Sequence, residues 1–400
     1  MRIPLNLKVL VLDDEPFMLK LLAYLLAKKG FQEVATCDNG SAALALVDSP
    51  YAAPQLIFCD INMPGMDGVE FVRRLVEHGY SGSLVLVSGE DERTLQSMRR
   101  LVQAHHIEVL GCLQKPVTPA SLEVMMEAWR MPAAAPRTIV EKIYHEEELR
   151  RAIAMKQLIN YYQPKVALST GKVVGVEALV RWQHPTDGLV YPDQFIGVAE
   201  AHGLINDLTH SVLKQALQDM ASWKQMGLEV QVSVNVSMDN LSALDFPDTV
   251  SALAASAGIA PTALILEVTE SRLMHDLRAP LEILTRLRLK RFGLSIDDFG
   301  TGHSSLTQLR DLPFDELKID RSFVHGAHDM GNIRAIFSAS VGLAKELGMK
   351  VVAEGVEDAG DWAFLRFTDC DLAQGYHISK PIPASDFVAW VDLYRRRLGT

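Results

Sequence analysis

Cysteine is scarce in this 400-residue chain: Cys37, Cys59, Cys112 and Cys370 are scattered without a C-x-x-C spacing. That excludes a disulfide framework and a zinc site, and fits a reducing cytoplasm. An excess of positive charge is also missing, since 50 acidic residues outnumber 39 basic ones for a formal net charge of −11. The deficit is shared: residues 1–130 hold 12 basic and 16 acidic side chains, leaving 27 and 34 for residues 131–400. Neither part offers the basic surface with which a general nucleic-acid or anionic-membrane binder displaces phosphate counterions, so a phosphate ligand here calls for metal ions as intermediaries. Long apolar runs are lacking too. The run 9–12 meets Asp13, Asp14 and Glu15 at once, unlike the apolar region of a signal peptide. The longest uncharged stretch, 249–266, contains Gly258 and Pro261 and reads as a helix leading into a buried strand rather than a membrane span. What is present is ordinary globular usage, 48% hydrophobic and 22% charged, which rules out a disordered or fibrous chain and leaves room for two or three domains with real cores.

In residues 1–130 the runs KVLVLD, EVAT, QLIFCD, SLVLVS and EVLGCL alternate with amphipathic stretches near 16–29, 41–47, 69–78, 93–104 and 119–129. Strict alternation of five strands and five helices predicts an α/β fold, a five-stranded doubly wound parallel sheet of flavodoxin-like type. Its site should lie at the carboxyl ends of the strands, where Asp13, Asp60 and Ser88 fall. The segment MPAAAPRT marks residues 131–140 as a linker. Residues 141–400 open with the charged helix HEEELRRAIAMKQ and continue with eight strands near 160–168, 173–180, 230–234, 264–268, 293–296, 316–319, 351–353 and 372–373. The tight STGK turn joins the first two as a hairpin, and each later strand is followed by a helical pattern. Eight strands with helical crossovers predict a (β/α)8, TIM-type barrel with one antiparallel strand.

Polar residues sit at or just past the carboxyl ends of these strands: Glu177, Asn235, Glu267, Asp297 with Asp298, Lys318, Glu354 and Gln374. A single acid there can be a helix cap, but a barrel gathers all its strand ends at one mouth. Together they form an oxygen-rich, histidine-free cluster, which suits hard cations such as Mg2+ or Mn2+ and not zinc. Without cations, mutual repulsion would raise the carboxyl pKa values. Adjacent Asp297 and Asp298 would let two cations share a bridging carboxylate, an arrangement that clamps the attacking and leaving oxygens of a phosphoryl centre. Lys318 and Arg181 can then neutralise phosphate oxygens while Glu354 orients or deprotonates a water. This predicts metal-assisted phosphodiester hydrolysis.

The motif EALVRW at Glu177, preceded by YQPK and followed by SVNVS, LEVTES, DDFGTGHSSL, ELKID and AEGVE, occurs within residues 146–389 in an order that resembles an EAL-domain cyclic di-GMP phosphodiesterase. The resemblance implies two-metal, in-line hydrolysis of cyclic di-GMP to linear pGpG. It implies that Glu177, Asn235, Glu267 and Asp297 bind one metal and that Asp298 and Glu357 help hold a second. Lys318 would contact the nucleophilic water, Glu354 would be the general base, and Gln163, Leu179, Arg181 and Gln374 would contact the substrate. Glu270 and the loop 297–302, with Phe299, Gly300, Thr301 and Gly302, would couple the metal site to a dimer interface. His303 departs from the aromatic residue, often Tyr, expected there.

In the amino-terminal part, Asp13, Asp14 and Asp60 can hold one Mg2+ while Ser88 and Lys115 neutralise an incoming phosphoryl group, leaving Asp60 free to be the nucleophile. With MPGMDG after Asp60, and Lys115-Pro116, which favours a kinked or cis peptide, residues 8–129 resemble a response-regulator receiver domain. The resemblance implies phosphorylation of Asp60 by a sensor histidine kinase or phosphotransfer protein. Asn62 would add a backbone carbonyl to the metal, and Ser88 and Lys115 would sense the phosphoryl group. Cys112 stands where receivers usually carry the Phe or Tyr of an aromatic switch, and reads as a small buried apolar residue rather than a redox sensor.

The expected protein is a cytoplasmic two-component response regulator whose receiver controls a cyclic di-GMP phosphodiesterase. It would take two Mg2+ or Mn2+ ions in the barrel and one in the receiver. It would form a homodimer or higher homo-oligomer, with neither DNA nor membrane as partner. The rival reading is a catalytically silent cyclic di-GMP receptor or interaction scaffold; silent relatives lack metal ligands, whereas every matched position is filled here. A DNA-binding output finds no helix-turn-helix segment outside the two domains.

Overall fold

The computed structural model describes residues 7–49, 53–89, 95, 98–99, 101–102, 107–128, 144–269, 278–300 and 306–398. The chain divides into two units, Met1–Ile139 and Val140–Thr400. The expected linker, 131–140, and most of the helix expected at 93–104 lie outside the described residues.

The first unit is one parallel sheet of β1 (Lys8–Leu12), β2 (Glu33–Cys37), β3 (Leu56–Asp60), β4 (Ser83–Ser88) and β5 (Glu108–Gln114), in the order β2-β1-β3-β4-β5. Its central strands are continuous apolar runs because helices cover both faces. Alternation sends Leu10, Leu12, Ile57, Cys59, Leu84 and Leu86 into one core and Val9, Val11, Phe58, Val85 and Val87 into the other. At the carboxyl end of β3 the helix Gly68–Glu77 begins, capped by Asp67, whose side chain accepts from the Glu70 amide. A Cβ on Gly68 would come within 2.7 Å of the Ile61 Cα, so only glycine lets this helix start so close to Asp60.

The second unit has β6 (Leu158–Ala167), β7 (Val173–His184), β8 (Gly188–Val190), β9 (Gln231–Val236), β10 (Leu264–Thr269), β11 (Gly293–Phe299), β12 (Glu316–Ile319), β13 (Lys350–Ala353), β14 (Leu372–Ala373) and β15 (Ile382–Pro383). Strands β7 and β9 to β14 run parallel in sequence order, and β6 closes the ring by pairing antiparallel with both β7 and β14. The eight-stranded barrel with one antiparallel member is therefore as expected. Two differences arise from short-range pattern. β7 continues past Val180 to His184 and folds back on β8, so its polar end RWQH is still strand. The two-residue β15, ending in Pro383, pairs with Tyr162 and Tyr161 of β6 and is too short to carry an alternating signal. Outward residues such as Val176, Val234, Leu266, Val268, Leu294, Leu317 and Val351 join the surrounding helices in one apolar core. No described helix is long and apolar enough to cross a membrane.

Candidate active site

Strand register assembles the mouth of the barrel. Glu267 on β10 is level with Asn235 on β9, and Gln163 on β6 faces Glu177 on β7. Lys318, on β12, is fully buried at the centre. Its Nζ lies 2.7 Å from Glu354 Oε1, 2.8 Å from Glu267 Oε2, 3.1 Å from Asp297 Oδ1 and 3.4 Å from Glu177 Oε2. Burial works against the Lys318 charge, but Asp297, Glu177, Glu267 and Glu354 outweigh it and hold the ammonium well above its ordinary pKa. Burial pushes the Glu177 carboxyl up, with Glu267 and Asp297 adding to it and Lys318 opposing. Glu354 is also raised well above the usual range, by burial first and then by Asp297 and Glu177, against Lys318.

Two consecutive aspartates reach the same mouth because β11 is irregular. A regular strand would point Asp297 and Asp298 to opposite faces. The register shifts between Ile296 and Phe299, and Asp298 adopts a φ of 56°, a left-handed conformation that a non-glycine residue holds only under strain. Its amide donates to Asp297 Oδ1 at 2.9 Å. Burial, with Asp297 and Asp320 nearby, raises the Asp298 carboxyl to about 6. Carboxylate oxygens of Glu177, Glu267 and Asp297 lie within 4.8 Å of one another, as do those of Asp297, Asp298 and Glu354. Asp297 belongs to both groups.

Amides complete the rim. Asn235 Nδ2 donates to Glu177 Oε1 at 2.8 Å, and Gln374 Nε2 donates to Glu177 Oε2 at 2.6 Å and to Gln163 Oε1 at 3.1 Å. Gln374 Oε1 is buried without a hydrogen-bond partner. Gln163, Gln374, Glu177, Asp297, Asp298, Lys318 and Glu354 line a cavity of about 340 Å³. Glu357 lines it too, but joins neither carboxylate group and pairs with Arg321 at 2.6 Å. Arg181 and Leu179 stand apart. The Arg181 guanidinium lies 4.9 Å from the Tyr191 ring centre and 5.9 Å from that of Tyr161, while half-buried Leu179 lines a neighbouring apolar cavity. Gly300, at φ 98°, has Phe323 within 2.8 Å of where a Cβ would stand, and Phe299 packs on the core. Glu270, Thr301, Gly302 and His303 lie outside the described residues.

Sequence reasoning missed the layer beneath: Lys165, Ser233, Ser295 and Glu316, buried polar residues on β6, β9, β11 and β12. Their only signal was a charge or hydroxyl inside an apolar strand. It also missed Arg321 and Tyr376 at the cavity wall.

In the first unit Lys115 Nζ lies 2.8 Å from Asp60 Oδ2 and 2.9 Å from Asp13 Oδ2, and oxygens of Asp13, Asp14 and Asp60 fall within 4.8 Å of one another. Burial raises the Asp13 carboxyl against the pull of Lys115. The Asn62 amide donates to Asp60 Oδ1 at 3.3 Å, and the Lys115 amide donates to the carbonyl of buried Ser88 at 2.8 Å. The Lys115–Pro116 peptide is cis. Half-buried Cys112 packs on the core, and burial pushes its thiol up, opposite to a reactive thiolate.

The family model for the EAL domain matches residues 146–381, and that for the response regulator receiver domain matches residues 9–127. The chain is 32% identical over 385 residues to the cyclic di-GMP phosphodiesterase RocR of Pseudomonas aeruginosa, covering 96% of this chain and 98% of RocR. It is 45% identical over 256 residues to the cyclic di-GMP phosphodiesterase NbdA of the same organism, covering 64% of this chain and only 33% of NbdA. The solved structure of the PaMucR phosphodiesterase in complex with c-di-GMP matches with a TM-score of 0.58 and 42% identity, over 60% of this chain and 98% of that one.

Proposed function

Because the chain belongs to the EAL domain family and carries a response regulator receiver domain, we propose that it hydrolyses cyclic di-GMP to linear pGpG under control of phosphorylation at Asp60. We assign residues 1–130 to the receiver, 131–140 to the linker and 141–400 to the phosphodiesterase. The observation that carries the reading is Asp297 shared between two carboxylate groups around Lys318.

The all-oxygen donor set, crowded enough to raise Glu177, Glu354 and Asp298, fits a pair of hard divalent cations. Glu177, Asn235, Glu267 and Asp297 would hold one Mg2+ or Mn2+ ion, and Asp297, Asp298 and Glu357 the other. Such ions, when bound, polarise phosphoryl oxygens and acidify water. The remaining work belongs to the chain. Glu354, 2.7 Å from Lys318 at the cavity wall, takes the proton of the attacking water. Lys318, held charged, orients that water and meets developing negative charge. As the water oxygen bonds to phosphorus, one P–O3′ bond breaks and the leaving oxygen takes up a proton from solvent water, opening the ring. Gln163 and Gln374 present amides to the substrate, and Arg181 offers a guanidinium to phosphate. Purified full-length protein with Mn2+ or Mg2+ is expected to convert cyclic di-GMP to pGpG and to stop when EDTA is added; binding without turnover at any metal concentration would sink the reading.

In the receiver, Asp60 accepts the phosphoryl group from a histidine kinase or phosphotransfer protein, Asp13, Asp14 and the Asn62 carbonyl hold one Mg2+, and Ser88 and Lys115 engage the phosphoryl oxygens. A small-molecule phosphodonor is expected to raise turnover of the wild type several-fold and to leave Asp60→Asn unchanged; equal responses of the two proteins would remove the switch. A second copy of this chain is the remaining proposed partner, reached through the loop 297–302 and Glu270.

A further inference from the structure

Beneath the ring, the barrel interior is not filled by the branched apolar side chains usual for such barrels. It holds a second buried ion cluster. Lys165, 2% exposed, reaches across from β6 to place its Nζ 2.7 Å from Glu267 Oε1, 3.1 Å from Glu316 Oε1 and 2.8 Å from Ser233 Oγ. Glu316 Oε1 also accepts from Ser295 Oγ at 3.1 Å. All three donor protons of the Lys165 ammonium therefore have acceptors. Glu267 is fully buried, and its two oxygens are divided: Oε1 accepts from Lys165 at 2.7 Å, while Oε2 accepts from Lys318 at 2.8 Å. Burial alone would raise the Glu267 carboxyl, but Lys165 and Lys318 bring it down to about 2.

We propose that Lys165, with Glu316 as its counter-charge, is a positioning residue that anchors one oxygen of Glu267 so that the other is presented in a fixed orientation to the divalent cation. The inference rests on the reading of Glu267 as a metal ligand. Partners that orient a metal ligand from behind are commonly worth 10- to 100-fold in metal affinity. Glu316 has a separate reason to be there. Lys165 must carry its charge where no water reaches it, and Glu267, turned toward the site, cannot be its sole counter-ion once a cation competes for the same carboxylate.

The test separates positioning from folding. Removing one partner of a buried ion pair leaves an uncompensated charge, whereas removing both with similar volume is near neutral. The double variant Lys165→Met, Glu316→Leu of the full chain should therefore melt in EDTA within a few degrees of the wild type. Its Mn2+ affinity, read by isothermal titration and by the EPR signal of free Mn2+, should fall about 10- to 100-fold, and the Mn2+ needed for half-maximal hydrolysis should rise in parallel. Wild-type Mn2+ affinity in this folded double variant overturns the inference. Glu267→Gln distinguishes the two levels: if it binds Mn2+ like the wild type, the metal-ligand reading fails and the inference with it. If it binds weakly while the double variant binds normally, only the positioning role fails. Should the double variant lack a cooperative melt, Ser233→Ala, which removes one anchor of the Lys165 ammonium, takes its place; a several-fold loss of Mn2+ affinity is expected, and an unchanged affinity overturns the inference.

Discussion

Replacing Glu354 by Gln is expected to slow hydrolysis of cyclic di-GMP by about 10²- to 10⁴-fold, the usual worth of a positioned general base. The substitution keeps the shape of a side chain that follows β13 directly and lies 2.7 Å from Lys318. It removes the proton acceptor and little else, so substrate affinity should stay within a few-fold, giving a loss in kcat and not in KM. The wild-type pH profile supplies the second readout. The base form of Glu354 grows with rising pH, so the profile should show an acidic limb set by its deprotonation. In Glu354→Gln that limb should vanish from the residual rate. A variant that turns over at wild-type speed would move the base to another residue.

The Lys318→Met variant is expected to lose activity by at least three orders of magnitude, about 4 kcal/mol of transition-state stabilisation at 25 °C, and to lose about 3–5 kcal/mol of stability when metal-free. One ammonium serves Glu177, Glu267, Asp297 and Glu354, and its removal leaves Lys165 paired with Glu267 but takes the nearby counter-charge from the other three. Divalent cation supplies the missing counter-charge, so the thermal shift between EDTA and saturating Mn2+ should be larger for Lys318→Met than for the wild type. Equal shifts would show that the ammonium is not the metal-free counter-ion of the ring. The pH dependence carries the same sign. Asp298 titrates near 6 in the fold against an ordinary 3.8, so it binds more protons folded than unfolded. Its contribution is present below about 3.8 and lost as pH rises through about 6, and metal-free stability should fall across that window.

Much of the candidate site was legible because its acids stand toward the carboxyl ends of apolar strands, and a barrel turns strand ends into neighbours. Glu267 stands out in LILEVT as a single charge, and Asp297 with Asp298 in GLSIDDF and Glu316 with Lys318 in ELKI as charged pairs in otherwise strand-like runs. The receiver acids are marked the same way at the ends of β1 and β3. What failed to show were features with no period: the short strands β8 and β15, and the pairing of Glu357 with Arg321, which depends on where a loop settles against the start of the helix Arg321–Val324.

The sequence by itself determined the order of elements, the closed ring and the identity of the acids, because alternation and spacing are properties of consecutive residues. Tertiary structure alone decided which charges meet. Asp298 turns to the same mouth as Asp297 only because β11 shifts register and accepts a positive φ there. Lys165 finds Glu316 across 151 positions only because β6 and β12 face each other over the barrel axis. Such contacts are set by closure of the sheet, and in a low-dielectric interior a difference of one ångström decides whether a carboxylate is a base, a ligand or a counter-ion.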